Sequence, residues 1–132
     1  GSKLTGGFSL DGEVESRHYE SRMPYEGESD AIPGTFSISL CEEFCNSNSR
    51  FVRITGIPFN ARPGRYRFGE NRLVGYFGHL GALFAYNQNP RGFLEIESFG
   101  ETLTGHFDFT AENGDESASV KGRFEKIPVP RN

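Results

Sequence analysis

Leu103-Thr104-Gly105-His106-Phe107-Asp108-Phe109-Thr110 alternates apolar or small residues with polar ones. Successive side chains of an extended chain point to opposite faces, so Leu103, Gly105, Phe107 and Phe109 share one face and Thr104, His106, Asp108 and Thr110 the other. The segment predicts a strand with one buried and one solvated side, as in an antiparallel sheet. Outward from it, residues 92–98 and 117–127 read as its two partners, joined through the turns Phe99-Gly100-Glu101 and 112–116. The three form a meander. The apolar-x-Gly-x-Phe run at Leu103, Gly105 and Phe107 recurs at Val120, Gly122 and Phe124. Each glycine is expected beneath a neighbouring aromatic ring, where a side chain would clash. Two copies on adjacent strands point to strand pairing, since a solenoid needs at least three units.

Period-two runs extend toward the N-terminus, separated by Gly, Pro, Asn and Asp clusters. Residues 8–10 and 13–19 flank Asp11-Gly12, a pair suited to a two-residue hairpin turn. Residues 20–33 are polar, aperiodic and carry two prolines, so they read as a mobile surface connection covering one end of the fold. In 35–40, Phe36, Ile38 and Leu40 face one way and Ser37 and Ser39 the other. Residues 51–57 continue the sheet, with a bulge expected at Gly56 and termination at Pro58, which cannot donate to a ladder. Segments 64–68, 73–77 and 81–86 are Gly-interrupted strands, expected to bend or to lie close against another backbone.

Composition agrees. The chain has 132 residues, the size of one domain, and 32 are Leu, Ile, Val or Phe, enough for a core. Seventeen glycines beside 13 Phe and 5 Tyr suit many turns between aromatic-rich strands. Gly1 and Ser2 read as a cloning scar and residues 3–132 as a single β domain, with room for a removed leader or lipid-attachment segment. No stretch reaches the roughly 18 apolar residues of a membrane-spanning helix. Net charge is −4 with basic residues scattered, which argues against nucleic acid as a partner.

Three segments carry a resemblance: Gly92-Phe93-Leu94-Glu95-Ile96, then Leu103-Thr104-Gly105-His106-Phe107-Asp108-Phe109, then Val120-Lys121-Gly122-Arg123-Phe124. Their order resembles small uncharacterised lipoprotein domains of Bacteroidetes. The opening Phe8-x-Leu10-Asp11-Gly12-Glu13 and the central Ile57-Pro58 with Gly64-x-Tyr66 are similar to those domains as well. The resemblance implies an exported β domain of the periplasm or cell surface, held to a membrane only through a lipid anchor. It implies no catalytic residues.

Candidate chemistry is sparse. His18, His79 and His106 lie in different predicted strands without metal-ligand spacing, so neither a metal nor another cofactor is expected. No Gly-x-Ser-x-Gly elbow is present. Cys41 and Cys45 are separated by Glu42, Glu43 and Phe44, a spacing that suits a disulfide closing a short loop or two thiols in a turn, and not a Cys-x-x-Cys redox pair. Glu95 and Glu97 alternate with Leu94 and Ile96, as a solvated strand face does, and 112–116 lacks the ligand spacing of a calcium loop. What remains is the polar-tipped aromatic and basic content of the middle third. Tyr66, Arg67, Tyr76, Phe77, His79 and Tyr86 are the candidate ligand-binding residues, and ordinary core packing is the competing account of their rings.

These observations predict an all-β antiparallel domain of about eight strands, a barrel of lipocalin-like proportions or a two-sheet sandwich. The expected function is a non-catalytic binding or structural module of the bacterial envelope, for a small apolar or glycan ligand or an envelope protein. An envelope hydrolase with loop carboxylates would instead show a strongly shifted carboxylate in a cleft. An assembly subunit would show an open sheet edge or a large apolar patch.

Overall fold

A computed structural model describes residues 3–10, 13–22, 34–42, 50–79 and 85–129, with side chains described for 34–40, 50–78 and 85–129. These residues form strands and turns and no helix. The strands are β1 (Lys3–Leu10), β2 (Glu13–Arg22), β3 (Thr35–Glu42), β4 (Arg50–Pro58), β5 (Gly64–Arg67), β6 (Val74–His79), β7 (Gln88–Phe99), β8 (Thr102–Asn113) and β9 (Glu116–Pro128). All pairings are antiparallel, in the order β5-β7-β8-β9-β1-β2-β3-β4-β6.

This ladder folds over on itself. β3, β4 and β6 form one layer, β5, β7, β8 and β9 the other, and β1 with β2 continue the hydrogen bonding from one to the other. Cross-layer contacts show the stacking. The Phe36 ring of β3 lies 6.0 Å from Phe99 of β7, and Gly75 of β6 sits under Phe109 of β8, where an added Cβ would be 2.7 Å from the ring. The end strands β5 and β6 do not pair with each other, so the ladder stays open and the fold is a two-layer sandwich, not a closed barrel.

The core follows the period-two pattern with one correction: Ser37, expected on the solvated face of β3, is buried where the bulge interrupts the alternation. Phe36, Ile38 and Leu40 of β3, Leu94 and Ile96 of β7, and Leu103, Phe107, Phe109 and Ala111 of β8 are buried, while Asp108 between two of them is exposed. On β9 the inward set is Ala118, Val120, Phe124 and Ile127. The expected glycine–ring contact occurs at Gly105, whose Cβ position lies 3.1 Å from the Phe124 ring and meets the Glu95 carbonyl oxygen. Its counterpart Gly122 stands opposite Phe107 in the register. The expected bulge is also present: between the Phe36–Ile57 and Ile38–Ile54 pairs, Thr55 and Gly56 stand against Ser37 alone. Gly56 takes φ +81°, open to glycine at little cost, and packs on the Arg72 carbonyl.

β1 and β2 pair up to Leu10 and Glu13, but the Asp11-Gly12 turn lies outside the described residues. The connection expected over 20–33 begins later, since Glu20, Ser21 and Arg22 are strand paired with β3, and 23–33 lie outside the described residues. Segment 81–86 is described only from Ala85, and Tyr86 makes an isolated bridge to Phe77. Cys45 and the side chain of Cys41 lie outside the described residues.

Candidate functional site

The five candidate residues with described side chains fall in more than one place. Phe77 is buried, and its ring stacks on Tyr86 at 6.2 Å. The Tyr86 hydroxyl donates to Glu116 Oε2 at 2.9 Å, tying the 85–87 segment to the start of β9. Tyr76, next to Phe77, points to the opposite side of the same layer. The backbone of His79 ends β6, and its side chain lies outside the described residues. Tyr66 and Arg67 line a cleft.

That cleft follows from the open ladder. The β4–β6 ladder runs only from Arg50 to Thr55, beyond which Gly56 packs on the Arg72–Leu73 backbone instead of a paired strand, and β5 is the far end of the opposite layer. Between them lies a depression of about 290 Å³. Ile57, Pro58, Leu73, Leu94 and Ile96 give it apolar walls, and Arg65, Arg67, Glu70 and Asn71 its polar lining. Tyr66 is held in place from outside the cleft. Its hydroxyl donates to the Arg62 carbonyl at 2.7 Å and accepts from the Arg62 N–H at 2.9 Å. Both bonds go to the loop before β5, so the phenol acts first as a clamp on that loop.

The outward face of β7, β8 and β9 carries a second polar array. Arg123 donates to both oxygens of Glu97, through Nη2 at 2.8 Å and through Nη1, and His106 Nδ1 lies 3.1 Å from the same carboxylate. The hydrogen bonds from Arg123, and after them from His106, hold the Glu97 carboxyl below its ordinary range. A carboxyl shifted this way stays ionised and does not serve as a general acid near neutral pH. The shift has a consequence for stability. A lowered folded-state pKa contributes stability above the unfolded value, and that contribution is lost as pH falls through the folded one. Glu97→Gln is therefore expected to lower the unfolding free energy measured in urea near neutral pH by no more than about 1 kcal/mol at this half-exposed site. The gap from wild type should close in acid. A gap constant with pH would remove the assigned role.

Seven of the 14 basic residues, all arginines, fall between residues 50 and 91 with one carboxylate, a net +6 within a chain of net −4. The pairing of β5 with β7 gathers part of this set. Arg67 stands opposite Phe93 and Arg65 opposite Glu95. Arg65 bonds Glu95 at 3.1 Å and lies 3.8 Å over the Phe93 ring, whose other neighbour is the edge-on His106. Arg65, Arg67, Arg91 and Phe93 thus border a shallow outer groove of about 360 Å³, which shares Arg65, Arg67 and Glu70 with the cleft. The uneven distribution of arginine along the chain was the available signal. The contribution of Arg91 depends on strand pairing and leaves no local trace.

Among the described residues no group of His, Cys, Asp and Glu side chains is arranged to hold a metal ion. Comparison with known proteins finds no family model that matches the chain, and no curated protein or solved structure similar to it.

Proposed function

We propose that the chain is a non-catalytic binding module of the bacterial cell envelope, which takes a small ligand in the cleft between β5 and the end of β4. The carrying observation is the cleft itself. Apolar walls with a few polar groups at one side are the usual make-up of a small-molecule site, and about 290 Å³ is at the small end of the range. Glu70 is the one carboxylate among the described lining residues, whereas glycoside hydrolysis requires two across the substrate. The envelope setting rests on the resemblance carried by Gly92–Ile96, Leu103–Phe109 and Val120–Phe124.

The open edges favour a second reading, an assembly subunit. Against it, β5 is four residues long and carries two arginines, while the β6 edge is partly occupied by the Phe77–Tyr86 bridge. Short and charged edges are how β proteins discourage strand addition.

A fragment screen followed by amide chemical-shift mapping separates the readings. Binders are expected to shift Ile57, Tyr66, Leu73 and Leu94 together. Hits elsewhere, or none, would sink the cleft assignment, and concentration-dependent broadening along β5 or β6 would favour assembly.

A further inference from the structure

Arg67 differs from the other arginines of the outer groove. Arg65 is engaged by Glu95 and Phe93, and Arg91 Nη2 lies 3.3 Å from Glu112 Oε2. Arg67 has no ion pair among the described residues, although it is exposed beside both neighbours and lines both depressions. Its position is held from three sides. The strand pairing fixes its backbone opposite Phe93, the next N–H, that of Phe68, bonds the Gly92 carbonyl at 3.0 Å, and the Phe68 ring is anchored 4.7 Å from Phe109 in the core. A guanidinium on such a mount presents several N–H donors with no carboxylate among the described residues paired to them, and phosphate, sulfate and carboxylate groups match that fork.

We propose that the Arg67 ledge, flanked by Arg65 and Arg91, is an oxyanion-binding site continuous with the β4–β5 cleft. Its ligand is a small amphiphile whose apolar part enters between Ile57, Leu73 and Leu94 while its phosphate, sulfate or carboxylate group rests on Arg67. This deepens the proposed binding function and rests on it. Glu70 lines both depressions and opposes the anion, so it tunes the affinity downward and selects against ligands of high negative charge. The net +6 of residues 50–91 steers anions toward this part of a chain that is negative overall.

The test is an amide-detected NMR titration of the full chain at low and high salt with phenyl phosphate, benzoate and the neutral benzyl alcohol. An anionic probe is expected to bind about tenfold more tightly than benzyl alcohol, the effect of one charge-assisted hydrogen-bonding contact, and to lose most of that advantage in high salt. Arg67→Gln should abolish the advantage, and Glu70→Gln should increase it. Both positions are exposed, and the spectrum itself reports whether each variant is folded. A preference for phenyl phosphate assigns a phosphate- or sulfate-type ligand, and a preference for benzoate a carboxylate. Equal binding of neutral and anionic probes in the cleft, or an anion advantage that survives Arg67→Gln, overturns the oxyanion site and leaves the cleft reading standing. Binding of no probe overturns both.

Discussion

Truncating Phe109 to alanine is expected to lower the unfolding free energy by about 3 to 5 kcal/mol, the range for removing a fully buried aromatic side chain. Phe109 is 1% exposed, and its ring joins three parts of the molecule. It lies 4.7 Å from Phe68 at the end of β5, 5.8 Å from Phe107 on its own strand, and against Gly75 in the opposite layer. No single neighbour can fill the void, because the three contacts come from separately held backbones. A domain of this size has about 5 to 15 kcal/mol of total stability, so the variant should sit near the edge of folding. Urea unfolding would measure the loss. A value under about 1 kcal/mol would mean that the layers close over the gap and are not rigidly spaced.

The reverse error, adding volume at the same contact, gives the second large effect. A Cβ at Gly75 would lie 2.7 to 3.0 Å from three carbons of the Phe109 ring, closer than real Cβ contacts allow. Gly75→Val is expected to destabilise by about 2 to 3 kcal/mol, at the upper end for overpacking, because two further methyl groups enter the same space. The pair also makes a cycle. In a Phe109→Ala background the valine occupies the vacated volume, so the double variant should be more stable than the sum of the single effects predicts, with coupling on the order of 1 to 3 kcal/mol. Strict additivity would show that β6 and β8 do not meet as described.

The layers were legible from sequence where one face is buried and the other wet. The strand carrying Leu103, Phe107 and Phe109 has a period of two that a half-buried sheet satisfies, whereas on β3 the bulge buries Ser37 between Phe36 and Ile38 against the expectation. The Gly105–Phe124 contact was readable because it joins neighbouring strands whose register follows from a short turn. The partner of Gly75 was not, since Phe109 reaches it across the core and no sequence spacing encodes the stacking of layers. Patterning likewise cannot choose between barrel and sandwich, which differ only in whether β5 and β6 meet. The candidate site was half legible. Tyr66 and Arg67 were singled out and line the cleft, but the same reasoning picked Phe77 and Tyr86, whose rings are spent on each other and whose one hydroxyl is spent on Glu116. Aromatic composition is the same for a pocket and a core; the apolar walls that make the cleft, Ile57 and Leu94, looked like any other strand residues.

The pairing of β1 with β9 sets this chain apart in how it must fold. Every other ladder joins strands that follow one another or skip a single strand, whereas here Lys3 meets Glu125. The chain is thus two local meanders, β1 to β4 with β6 and β5 with β7 to β9, that can each form from near neighbours. Their hydrogen-bonded union waits on closing a loop almost as long as the chain, although Gly75 and Phe109 bring the layers into contact over a shorter one. Loop-closure entropy rises slowly with length, yet it must be met before any β1–β9 hydrogen bond returns it. Folding on the millisecond-to-second scale of high-contact-order β domains is the consequence, with the β9–β1 ladder the one whose pairing closes the longest loop.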